Sequence, residues 1–218
     1  YYGRFNKWAG YTLLAKMYLN SEIFSDGTHK DYDKCIEACN KVLECGKYSM
    51  ETVRKNVFVT NNENSKEIIF ALPFDETYVT DWNAFDFHMY SLQPENQATY
   101  NFKATPWGGA CVIPQYIESF DPDDQRLKDD FISGPQYDKN GGVLYCTMGN
   151  MKGKPLDYVN KVNSIDDSDE NQGWRWGKFE YAEGITNRLS NDFPLLRYAD
   201  VYLMKAEALL RTGHADEA

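Results

Sequence analysis

The chain has 218 residues, enough to bury a substantial core as one domain or two. Its net charge of −10 excludes nucleic acid and an anionic membrane face as natural partners, because phosphate binding depends on Lys and Arg, and it favours a neutral ligand. Aromatic residues make up 15% of the sequence, which suits either aromatic plugs between helices or a surface on which the flat faces of sugars stack.

Residues 4–20 read as an α-helix with Phe5, Trp8, Tyr11, Ala15, Tyr18 and Leu19 on one side. After the polar turn at Ser25–Thr28, a second helix carries Tyr32, Cys35, Ile36, Cys39, Val42 and Leu43 at helical spacing and stops at Gly46. Cys35 and Cys39 are i, i+4 neighbours that face the core as small hydrophobes. With Cys45, Cys111 and Cys146 they make an odd set without CxxC pairs, which argues against a disulfide framework or a zinc site. Two antiparallel helices, the first with a bulky Trp near its start and small alanines beyond, have the layout of a tetratricopeptide unit, which stacks on further copies.

A long irregular middle follows. Glu67–Leu72 is a short apolar run that reads as a strand. From Pro73 to Ala110 no period is sustained, yet Phe74, Tyr78, Trp82, Phe85, Phe87, Tyr90, Tyr100, Phe102 and Trp107 crowd the segment, a density that argues against disorder. Such a run is either a packed lid over the helices or a ligand site. Pro114–Phe120 reads as a short helix leading into the turn Asp121-Pro-Asp-Asp-Gln-Arg126, where Arg126 has three aspartates to pair with. Gly141–Cys146 suggests a turn and strand. In the acidic run 164–173, Asp167, Asp169 and Asn171 alternate as in a calcium loop, but Gln172 stands where glycine is needed and Lys178 where the bidentate Glu belongs, so it reads as a solvated turn and no metal site is expected.

No catalytic constellation emerges. His29, His88 and His214 are scattered, no nucleophile elbow accompanies them, and none of the many acidic pairs has a spacing that singles it out for glycosidase chemistry. For binding, sugar C–H faces call for Trp or Tyr platforms beside amide and carboxylate side chains. Trp82 between Asp81 and Asn83, Tyr78 just before it, Tyr100-Asn101, and Trp107 ahead of two glycines fit that need. Trp174 and Trp176 are second choices, placed on one face if their segment is extended.

The last stretch, Phe193–Gly213, predicts a helix from Tyr198 with Ala199, Tyr202, Leu203, Ala206, Leu209 and Leu210 on its buried face, Pro194 excluded from it and Gly213 at its cap. Arg197 stands at its entrance. Glu207, between two alanines, is either a paired buried carboxylate under a close helix or a residue of the wet side.

The run Leu195–Ala208 resembles the signature helix of the SusD/RagB family, surface glycan-binding lipoproteins that partner a TonB-dependent outer-membrane transporter. Gly3–Asn20, Val42–Tyr48, Lys66–Phe70 and Phe120–Arg126 resemble further stretches of that family in the same order. The resemblance implies a mostly α fold of tetratricopeptide-like helix pairs with an irregular, aromatic-rich loop region and a few short strands. It implies oligosaccharide binding without turnover, handover to a SusC-like transporter, no cofactor, and a lipid-anchored place on the outer face of an outer membrane, with much of the ligand site in the irregular half. The sequence opens and stops in mid-pattern and is read as a single-domain fragment: a helix pair over 1–50, a ligand-binding region over 51–192, and the first helix of a further repeat over 193–218. Sorting signals absent from it therefore carry no weight. The alternative is a helical-repeat module that binds a protein or peptide, with the aromatics of 78–107 buried in the scaffold.

Overall fold

Residues 2–79 and 84–218 are described by the computed structural model. In chain order the elements are α1 (Lys7–Leu19), α2 (Ser21–Phe24), α3 (Tyr32–Leu43), β1 (Ile68–Leu72), α4 (Phe87–Ser91), α5 (Gln97–Tyr100), α6 (Pro114–Glu118), α7 (Arg126–Asp129), β2 (Phe131–Ile132), β3 (Gly134–Pro135), β4 (Asp157–Tyr158), β5 (Arg175–Trp176), β6 (Phe193–Arg197) and α8 (Tyr198–Arg211), joined by turns and single-turn 3-10 helices. Helix dominates and the strands are few and short, as expected. The chain divides into a helical unit (Tyr1–Val57, Asn61–Pro73, Asp192–Ala218) and a loop-rich unit (Phe58–Thr60, Phe74–Asn191). No helix among the described residues is long and apolar enough to cross a membrane.

In the helical unit, α1 starts where Asn6 caps it, its Oδ1 accepting from the backbone N–H of Trp8 and Ala9 at 2.9 and 3.0 Å. Phe5 therefore falls outside the helix; it is exposed, and its ring meets Phe70 edge-on at 5.5 Å. Ala9 and Ala15 lie in one core with Tyr32, Cys35, Cys39 and Val42 of α3, and Val201, Met204 and Ala208 of α8 complete it. Thr12, fully buried, returns its hydroxyl to the Trp8 carbonyl at 2.9 Å and so leaves no polar atom orphaned.

The buried face of α8 differs from the expected one. Tyr198, Val201, Met204, Ala208 and Leu209 are buried, whereas Tyr202, Leu203 and Leu210 are exposed. Two apolar stripes share Leu209, and the one turned toward α3 is covered. Glu207 lies on the wet side in an i, i+4 pair with Arg211.

Arg197 has its reason one strand away. β1 and β6 pair antiparallel, with Ile68 opposite Arg197 and Ala71 opposite Pro194. Arg197 Nη1 reaches Glu67 Oε1 at 2.9 Å, and the Glu67 side chain is 1% exposed. Its second oxygen accepts from the Glu51 backbone N–H at 3.1 Å. Such a pair is retained because a lone buried carboxylate costs several kcal/mol, of order 3–5 when one partner is removed.

Among its described residues the loop-rich unit has only two-residue strand pairs, β2 with β5 and β3 with β4. Its irregular backbone is satisfied by side-chain amides instead. Asn191 Nδ2 donates to the carbonyls of Phe58 and Glu180 at 3.1 and 3.0 Å, and Gln136 Nε2 to that of Gly134 at 2.9 Å. Val112, Ile117 and Phe131 form one small apolar cluster and Cys146, Leu156 and Tyr158 another. Pro114 opens α6 at the position where its missing N–H costs nothing. Gly141–Cys146 forms a turn with isolated pairings, Tyr137 to Val143 and Tyr145 to Pro155, rather than a strand. Arg126 pairs with Asp124, its Nε 3.0 Å from both carboxylate oxygens.

Candidate functional site

Segment 107–110 of the loop-rich unit is laced along α4. Trp107 donates its backbone N–H to the Met89 carbonyl at 2.7 Å, Gly108 to Leu92 at 3.0 Å and Ala110 to Tyr90 at 2.9 Å. The close approach requires glycine: Gly108 has φ +74°, and a Cβ there would meet Gln93 Oε1 at 2.7 Å. The result is a fixed ring. Trp107, 51% exposed, stands edge-to-face on Tyr90 with centroids 4.7 Å apart.

Beside that ring lies a groove of about 660 Å³. Its walls are the Trp107–Cys111 segment, the Met148-Gly149 turn and the loop from Val162 to Asp169; its floor is Gln93, Glu170, Gln172 and Arg175. The floor is held by its own hydrogen bonds. Gln93 Nε2 and Arg175 Nη2 both donate to the Glu170 carbonyl, at 3.0 and 2.8 Å. The Arg175 guanidinium also lies 4.7 Å from the Tyr158 ring centroid. Glu170 Oε2 accepts the backbone N–H groups of Thr147 and Met148 at 2.9 and 3.0 Å, tying the opposite wall to the floor. Burial raises the Glu170 carboxyl above its ordinary range, and it also raises the Tyr158 hydroxyl. A flat exposed ring over a floor of amide and carbonyl groups can take the C–H face of a ring on one side and hydroxyls on the other.

Of the residues expected from sequence, Trp107 lines this groove. Asp81, Trp82 and Asn83 lie outside the described residues. Tyr78 is 86% exposed and is not part of the groove wall. Tyr100 stacks on Phe102 with centroids 4.9 Å apart, and burial pushes its hydroxyl up to about 12. Asn101, at φ +54°, lines a separate shallow depression with Pro94, Phe102 and Leu144. Trp174 and Trp176 both contact Phe131, at 6.4 and 5.9 Å, as alternation along a strand requires. In the acidic loop Asn171 is buried, and Asp169 accepts from the backbone of Asn150 at 3.3 Å. Among the described residues no three His, Cys, Asp or Glu side chains gather to hold a metal.

Sequence reasoning missed the floor. The one signal available was Trp174-Arg175-Trp176: if both rings face one way, Arg175 faces the other, and a cation on an inner face needs carbonyl or aromatic partners.

No curated protein matches the sequence. Solved structures resemble it in fold. A SusD superfamily protein from Parabacteroides distasonis is 21% identical with a TM-score of 0.67, over 99% of this chain and 41% of that one. NanU from B. fragilis is 19% identical with a TM-score of 0.62, over 94% of this chain and 40% of that one. Surface glycan-binding protein A from Bacteroides thetaiotaomicron, solved with laminarihexaose, is 17% identical with a TM-score of 0.69, over 97% and 44%. The chain thus spans about two-fifths of the length of these proteins. Residues 66–218, more than half of the sequence, match the model of the SusD family, and the chain belongs to that family.

Proposed function

We propose that the loop-rich unit holds an oligosaccharide in the groove beside Trp107 and does not cleave it. The observation that carries this reading is the Trp107 ring, half exposed and fixed by Tyr90 and Gly108, above a floor of hydrogen-bonding groups. Membership of the SusD family and the laminarihexaose complex of a structural relative support it. Glu170, the carboxylate of the floor, is engaged by two backbone N–H groups, which supports binding over general-base chemistry. Trp82, with Asp81 and Asn83, stays in the proposal as a second stacking platform, and Tyr78 as an outlying contact. Tyr100 serves the interior, and Asn101 edges the neighbouring depression. The longer protein is lipid-anchored at the outer face of an outer membrane and passes the glycan to a SusC-like TonB-dependent transporter, with α1, α3 and α8 as tetratricopeptide-type scaffold. Micromolar to millimolar affinity, ~4–8 kcal/mol, suits capture before handover.

The test is retention of the protein on a panel of immobilised polysaccharides, with laminarihexaose among the soluble competitors. Trp107→Ala should weaken retention at least about tenfold, the loss of ~1.4 kcal/mol of stacking, with the melting temperature nearly unchanged. Unaltered retention contradicts the site, and release of reducing sugar contradicts binding without turnover. The exposed Leu13, Leu14 and Met17 of α1 and Leu203 and Leu210 of α8 favour a second reading, in which the helices dock a protein. Under that reading a Leu203→Glu, Leu210→Glu double variant loses a protein partner and keeps glycan retention.

A further inference from the structure

The groove carries more apolar surface than a bare sugar needs. Besides Trp107, it is lined by Ile113 and Met148, each more than half exposed, and by Ile165, which is 99% exposed. The flat Trp107 ring suits a pyranose face, whereas aliphatic side chains suit methyl groups. A single exposed apolar residue needs no explanation, but four drawn from three segments around one cavity mark a surface kept for an apolar group of the ligand.

The same groove offers an unengaged backbone donor. Trp107, Gly108 and Ala110 donate their N–H groups to the carbonyls of Met89, Leu92 and Tyr90, whereas the Gly109 N–H has no acceptor among the described residues. Gly109 lines the groove at φ +112°, and a Cβ built on it would meet nothing within 4 Å, so the space beside it is open. Charge narrows what can enter. Asp166, Asp169 and Glu170 line the groove, and the one cation among the described lining residues, Arg175, is 2% exposed and turned to the carbonyls of Glu170 and Ala110 and to the Tyr158 ring. An anionic sugar therefore finds no open counter-charge, and an ammonium group would have to shed its water among aliphatic chains. A neutral group with a methyl at one end and a carbonyl oxygen at the other meets every condition.

We propose that the groove selects a glycan bearing acetyl groups, either N-acetyl on an amino sugar or O-acetyl on a hydroxyl. The sugar ring lies on Trp107, the acetyl methyl sits among Ile113, Met148 and Ile165, and the acetyl oxygen accepts the Gly109 N–H. This inference rests on the groove being the glycan site. Burying a methyl and satisfying a donor each contribute a factor of several, so an acetylated ligand should bind about tenfold tighter than the same backbone without acetyl.

The experiment compares the affinity of the whole chain for chitotetraose, cellotetraose and the glucosamine tetramer, which share one backbone and differ at carbon 2, and for acetylated xylan before and after its esters are removed. Chitotetraose bound about tenfold tighter than the other two identifies N-acetyl, and retention on xylan lost with its esters identifies O-acetyl. Either result supports the proposal. An Ile165→Ser, Met148→Ser variant, changed only at exposed positions, should bring the ratio of acetylated to unacetylated affinity close to one at an unaltered melting temperature. A ratio that survives in this variant places the acetyl group elsewhere and overturns the assignment. No acetyl preference in either series, or tighter binding of the free amine, overturns the proposal. Trp107-dependent retention of an unacetylated glycan then still leaves the groove as a capture site, whereas a chain that retains no glycan at all loses both.

Discussion

The helical and loop-rich units solve the same problem in opposite ways. In the helical unit the fully buried side chains are mostly small and apolar, among them Ala9, Ala15, Cys35, Cys39, Val42, Val201 and Ala208, because helices satisfy their own backbone; Thr12 and Glu67 are buried there too, each with a hydrogen-bond partner. In the loop-rich unit the interior holds Gln93, Gln136, Glu170, Arg175 and Asn191, each hydrogen-bonded to irregular backbone. Polar side chains that hold the wall of a groove also leave polar groups at its surface. The groove therefore belongs where regular structure fails.

The contrast can be broken first at a buried charged residue of the helical unit, Glu67. Arg197→Ala strands Glu67 and should cost about 3–5 kcal/mol in a urea titration. A loss below about 1 kcal/mol would mean that the pair is not buried in solution. Next comes His88 of the loop-rich unit, fully buried with Nε2 3.1 Å from the Thr186 carbonyl and pushed down to about 4 by burial. A histidine held neutral in the fold gives stability that is present above about 6.5 and lost as pH falls toward 4, roughly 3 kcal/mol in all. Its proton resonances should not titrate above about pH 5, and His88→Asn should flatten the acid limb. Gly108→Ala forces a left-handed backbone and moves Gln93 off the Glu170 carbonyl, at about 1–2 kcal/mol, read by melting temperature and accompanied by weaker glycan retention. Smallest is Glu207→Ala, an exposed helix pair worth at most about 0.5 kcal/mol.

The sequence made α1 and α3 legible because bulky and small residues recur at helical spacing, and Gly46 marks the end of α3. It misplaced the face of α8, because Tyr202, Leu203 and Leu210 make a stripe as good as Val201, Met204 and Ala208, and only a neighbouring helix decides between them. β6 was hidden as well: Pro194 was read only as excluded from the helix that follows, while both strands of a two-stranded sheet are edge strands and one of them tolerates a proline opposite Ala71. In the groove, Trp107 was legible as a ring before a glycine turn. Gln93, Glu170 and Arg175 were not, because they converge from two distant segments without a period, and nothing local distinguishes a side chain that feeds a remote carbonyl from one that meets solvent.

Stacking on Trp107 can be watched directly by fluorine NMR of the chain labelled with 5-fluorotryptophan, whose five indoles include Trp8 in the helical unit and Trp107 in the loop-rich unit, the latter assigned with Trp107→Phe. On saturation with a glycan that the protein retains, the Trp107 signal should shift while that of Trp8 stays in place. A bound glycan that leaves Trp107 unmoved would contradict capture in this groove.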